Sequence, residues 1–164
     1  MNLTFIGMSG AGKSTIGKEV ASRIGLGFYD VDREMEQMYA KPLQQILGEL
    51  GDTAFLEAQA TQVIGLGDVS GLVISPGGSV VYTAAAMEFL QQCSTIVYIK
   101  VSVATAKARL DITGRGIVGL KDKTFEALFA EREQLYEQYA DVVIDAENKT
   151  VDALVAEVLE KVGI

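Results

Sequence analysis

The chain has 164 residues, 49% of them apolar and 22% charged, which supports a single folded domain with a buried core rather than a disordered polymer. Its 14 basic and 22 acidic residues leave a net charge of −8, which argues against nucleic-acid or anionic-membrane partners that need clustered Lys and Arg. With no histidine and only Cys93 as a cysteine, it cannot build a Ser-His-Asp triad, a His-ligated zinc site or an internal disulfide.

Any catalysis therefore rests on carboxylates, Lys, Arg, backbone amides and hard cations. No apolar run approaches the ~20 residues that span a bilayer, and the start "MNLTFIGM" lacks a basic n-region. A cytoplasmic, monomeric enzyme acting on charged small molecules is expected, in one domain over 1–164.

Short Val/Ile/Leu/Phe/Tyr runs alternate with segments of helical period. Strands are expected at 3–6, 27–29, 71–75, 95–100 and 141–144, and helices at 13–24, 33–39, 43–50, 53–64, 84–92, 104–110, 125–139 and 151–162. Thr124 and Thr150 stand where N-caps of the last two helices belong. Continuous apolar strands alternating with helices predict an α/β fold, a five-stranded parallel sheet sandwiched between helices, with ligands at the carboxyl ends of the strands.

The first strand runs into Gly7-Met8-Ser9-Gly10-Ala11-Gly12-Lys13-Ser14, a full G-x-x-x-x-G-K-S/T phosphate loop. Glycines let such a loop curl so that its N–H groups point at phosphate oxygens, and the following helix N-terminus adds positive potential. Gly10, Ala11, Gly12, Lys13, Ser14 and Thr15 are the expected nucleotide contacts, with Lys13 on the β- and γ-phosphates and Ser14 in the shell of a Mg2+ ion.

The second strand runs into "FYDVDREME". Read as an i, i+2 pair leaving a strand, Asp30 and Asp32 turn their carboxylates the same way, one toward a metal and one toward a substrate hydroxyl. An acidic turn capping the next helix explains them equally well.

The third strand leads to "SPGGS", where the bare backbone of Gly77 and Gly78 lets a small molecule approach. Later, "TGRGIVGLKD" reads as a lid over about 111–123 carrying Arg115, and Arg132 lies on the next helix, able to clamp a carboxylate or pair with an acid. A small GTPase fits poorly. Asp68 in D-x-x-G precedes its strand, and "NKTVD" places its Asp one position late for a guanine-reading motif.

Taken together, the phosphate loop, Asp30-x-Asp32, Gly77-Gly78, the arginine-bearing lid and Arg132-x-x-x-Tyr136-x-x-x-Ala140-Asp141 resemble the shikimate kinase family over essentially the whole chain. The resemblance implies a three-layer, nucleoside-monophosphate-kinase-like fold and transfer of the γ-phosphoryl group of ATP, with Mg2+, to a hydroxyl of a small carboxylic acid. It implies Asp30 and Ser14 on the metal side, and Asp32 on the reacting hydroxyl. Lys13 and Arg115 would face the transferring phosphoryl, Arg132 the substrate carboxylate, and Arg109 the adenine.

Two departures stand out. In "GDTAFLEAQA", Leu56 replaces the family's carboxylate-binding arginine and Gln59 its glutamate, a change of two residues that share a helix face. Ser79 also stands for the third glycine of the turn. Shikimate is the expected acceptor. Homoserine is the alternative, its ammonium drawn to Asp52 or Glu57, and a non-catalytic nucleotide-binding protein is a further one.

Overall fold

The computed structural model describes residues 1–110 and 117–164. Five strands form one sheet, β1 (Leu3–Ile6), β2 (Gly27–Asp30), β3 (Leu72–Ser75), β4 (Thr95–Lys100) and β5 (Val142–Asp145). Their order is β2-β3-β1-β4-β5, and every neighbouring pair is parallel. Central β1 is buried at all four positions, which explains why "LTFI" carries no polar alternation beyond a threonine. At the far edge β5 alternates exposed and buried positions and reads as half-solvated.

The helices are α1 (Lys13–Ile24), α2 (Val31–Tyr39), α3 (Leu43–Leu50), α4 (Asp52–Ile64), α5 (Ala84–Cys93), α6 (Val103–Arg109), α7 (Phe125–Tyr139) and α8 (Val151–Val162). Each lies within two residues of its expected bounds, the largest difference being α2, which starts at Val31 instead of 33. The predicted caps form. Thr124 Oγ1 accepts from Ala127 N and Thr150 Oγ1 from Ala153 N, each at 3.2 Å.

A 3₁₀ turn, Val80–Tyr82, follows the glycine pair and has no counterpart in the expected elements, being too short to carry a period. Because β1 is central and successive units leave on both sides of it, the carboxyl end of the sheet opens a crevice beside the loop that follows β1. Among the described residues no helix is long and apolar enough to cross a membrane.

Candidate active site

The loop between β1 and α1 takes positive φ at Gly7, Gly10 and Gly12, and α1 begins at Lys13 itself. Gly7 is dictated by packing as well, since a Cβ there would lie 2.6 Å from the Ile99 carbonyl oxygen of β4. Lys13 is 8% exposed, and its Nζ donates to Met8 O at 2.9 Å, folded back across the loop.

Gly10, Ala11, Gly12, Lys13, Ser14 and Thr15 line one cavity of about 430 Å³ together with Arg109, Ala146 and Lys149. The expected nucleotide contacts thus come together, with Arg109 arriving from the end of α6. Lys149, part of the ill-fitting guanine-reading motif, joins this lining. Its place just after β5, on the ligand edge of the sheet, is the signal that could have found it.

A second cavity of about 390 Å³ opens on the other side of Ser14 and is lined by Asp30, Asp32, Gly78, Ser79 and Arg132. Here the strand-based reading of the acid pair needs correction. The second strand ends at Asp30, and α2 starts at Val31, so Asp32 sits in the first helical turn. Asp30 is the N-cap, its Oδ1 accepting from Arg33 N at 3.3 Å, while its Oδ2 accepts from Ser14 Oγ at 3.2 Å. Capping and the bond to the phosphate loop are thus carried by one residue. Helix start and loop contact, rather than strand alternation, bring both carboxylates to one cavity.

Arg132 is 1% exposed on α7. Its Nη2 donates to Val118 O at 2.7 Å, its guanidinium lies 5.3 Å from the centre of the Tyr82 ring, and its Nε is buried without a hydrogen-bond partner. Among the described residues no carboxylate forms an ion pair with it. The Lys123 hydrogen bond and, more weakly, the charge of Arg132 hold the Glu131 carboxyl below its usual range, without an ion pair between Glu131 and Arg132. A buried guanidinium so placed has donors to offer an external anion. Neighbouring Tyr136 donates to Gly78 O at 2.6 Å, and burial pushes its phenol up to about 12.

The two glycines separate these groups. A Cβ on Gly77, whose φ is +88°, would stand 2.7 Å from Asp32 Oδ1, and one on Gly78 would stand 3.1 Å from Arg132 Nη1. Both charged side chains therefore pack against bare backbone.

Leu56 is not in this cavity. It lines a groove of α4 with Glu57, Ala60 and Ile64, closed by Thr83. The expectation that positions 56 and 59 share a face is also revised, because Gln59 is 1% exposed and bonds to the 76–79 turn while Leu56 lines the outer groove. Of the acids invoked for a homoserine ammonium, Glu57 faces the Leu56 groove, and Asp52 Oδ2 accepts from Gly119 N at 3.0 Å. Neither lines the Asp32 cavity, so that alternative loses its structural basis.

Arg115 and the first part of the expected lid, 111–116, lie outside the described residues. The remainder contributes Ile117 and Val118 to the Asp32 cavity. Arg33, also on its rim, is not among the residues that the sequence singles out. A basic residue in the first turn of a helix, where the macrodipole disfavours it, is the signal that could have found it.

A family profile described as shikimate kinase matches residues 9–163. The chain is 30% identical to the shikimate kinase of Pseudoalteromonas atlantica, covering 99% of this chain and 96% of the relative. It is 33% identical to that of Parabacteroides distasonis, with 90% and 89% covered.

Among solved structures, shikimate kinase from Acinetobacter baumannii in complex with shikimate superposes with a TM-score of 0.90 at 26% identity, covering 98% of this chain and 92% of the other. Deoxyadenosine kinase from M. mycoides, at 20% identity and a TM-score of 0.65 over 100% of both chains, shares the fold. This chain therefore belongs to the shikimate kinase family and is an ATP-dependent phosphotransferase.

Proposed function

We propose that the protein transfers the γ-phosphoryl group of ATP to a hydroxyl of shikimate. The observation that carries this reading is a single cavity next to the phosphate loop, bounded by Asp32 and by the buried Arg132, which forms no ion pair among the described residues. Arg132 would take the acceptor's carboxylate, anchoring it by charge-assisted hydrogen bonds. Asp32 would orient the hydroxyl and accept its proton as the oxygen attacks phosphorus. Lys13, now on Met8 O, would exchange that carbonyl for a phosphoryl oxygen.

Ser14 Oγ and Asp30 Oδ2 fit a hard divalent cation such as Mg2+. Among the described residues no group of three His, Cys, Asp or Glu could hold a metal alone, so the cation would complete its shell with phosphate oxygens and water. When bound it would neutralise charge on the β- and γ-phosphates. Arg115 belongs to the same reading as a cation for the transferring group. Leu56, by its place in the α4 groove, does not. The loss of a family arginine at position 56 leaves the carboxylate to Arg132, with Arg33 at the rim as a second cation.

The variant Asp32→Asn tests the assignment. Nucleotide affinity is expected to be retained while shikimate-dependent ADP release falls by about 100-fold or more, the usual range for a lost general base. Turnover near wild type in this variant would remove Asp32 from the chemistry.

A further inference from the structure

Gln59 touches neither cavity, yet it grips the segment that separates Asp32 from Arg132. Its Nε2 donates to Pro76 O at 3.0 Å, and its Oε1 accepts from Ser79 Oγ at 3.1 Å. The amide thus spans the turn from residue 76 to residue 79, with Gly77 and Gly78 between its two bonds.

Its orientation is set by chemistry, because Pro76 C=O can only accept and must face the NH2 group. The same bare backbone meets Asp32 at Gly77 and Arg132 at Gly78, where Tyr136 adds a third bond to Gly78 O. Two departures from the family pattern, Gln59 and Ser79, are therefore partners of each other.

We propose that Gln59 is a positioning residue: its amide clasps the 76–79 turn and through Gly77 and Gly78 sets the placement of Asp32 relative to Arg132. The proposal rests on the reading of Asp32 and Arg132 as the acceptor site. An amide is required, since a carboxylate at this place would meet the Pro76 carbonyl with no proton between two acceptors.

The test is Gln59→Glu, nearly identical in shape, beside Gln59→Met, which removes both bonds without adding charge. Asp32 on α2, across Gly77, and Arg132 and Tyr136 on α7, across Gly78, are the titratable groups that meet the clasped turn. Glu49 on α3 and Glu88 on α5, the other helices packed on α4, are exposed, and Tyr82 of the 3₁₀ turn lies by Arg132. Burial and the facing carbonyl favour the protonated form of the introduced acid.

The Gln59→Glu enzyme is therefore expected to approach wild-type kcat near pH ~6 and to fall by about tenfold or more as it ionises toward pH ~9. Gln59→Met should lose kcat by a comparable factor at every pH, with the KM for ATP unchanged in both variants. Without any acceptor, the Arg132 Nε–H resonance of the Gln59→Glu protein should shift with the same midpoint, and that of wild type should not.

A resonance and a kcat that match wild type throughout would overturn the clasp, as would a fall in melting temperature with both unchanged. If wild-type protein shows no shikimate-dependent turnover, the functional reading fails on its own. The acceptor-free resonance still decides on the clasp.

Discussion

Replacing Gly77 by alanine adds one methyl group and nothing else, and the structure says where that methyl goes. At φ +88° the new Cβ lies 2.7 Å from Asp32 Oδ1 and 2.8 Å from Gln59 Nε2, where ordinary contact begins at 3.4 Å. Both are ends of side chains, so they yield before the backbone does, and Asp32 Oδ1 must retreat by roughly 0.7 Å. Since a misplacement of about 1 Å in a reacting group costs ~100-fold, this shift should lower kcat roughly 10- to 30-fold.

Left-handed backbone costs a non-glycine residue about 1–2 kcal/mol, and a loosened Gln59–Pro76 bond about 1 more. The melting temperature should therefore drop by about 4–12 °C. Gly77 lies away from the nucleotide cavity, so ATP affinity should be unchanged. Gly78→Ala is the matched control. Its Cβ presses on Arg132 Nη1 at 3.1 Å, so the main effect expected is a higher acceptor KM. Steady-state ADP release and calorimetric nucleotide binding on both variants provide the assay. Wild-type kcat in Gly77→Ala, accompanied by the expected loss of stability, would refute the placement of Asp32 at the reacting hydroxyl.

Arg132→Lys keeps the charge and gives up the planar fork, so acceptor KM should rise about tenfold or more, measured by shikimate titration at saturating ATP. Arg33→Ala should raise acceptor KM by about three- to tenfold without lowering the melting temperature, because a first-turn cation does not stabilise its helix. Leu56→Ala, in the α4 groove, should leave that KM unchanged. Tyr136 is held neutral above its ordinary range, to about 12. The stability it contributes is complete below pH ~10 and lost as pH rises toward the folded value. Tyr136→Phe should therefore show a shallower fall of melting temperature between about pH 10 and 12, while buried Tyr98, likewise pushed up by burial, leaves part of that fall in place.

The elements were legible because each carries a strong local signal, such as the apolar run of β1 or the Thr124 and Thr150 caps. The phosphate loop was legible because every residue in it answers to one ligand. What escaped depends on contacts distant in sequence. Leu56 and Gln59 look like neighbours on α4, yet the turn after β3 draws Gln59 inward to Pro76 and Ser79 while Leu56 joins an outer groove. Asp32 reached its cavity by a different route from the one its spacing suggested, because Asp30 capped α2 two residues earlier than the apolar period indicated. That Arg132 forms no ion pair with a described carboxylate could not be read from a helix crowded with glutamates at 126, 131, 133 and 137.

The most direct test of the central claim is ADP release by the purified protein with ATP and Mg2+, comparing shikimate, homoserine and no added acceptor, with the product identified by mass. Saturable stimulation by shikimate alone is expected, with a product one phosphoryl group heavier. Stimulation by homoserine alone, or by neither, would contradict the assignment of the Asp32–Arg132 cavity to shikimate.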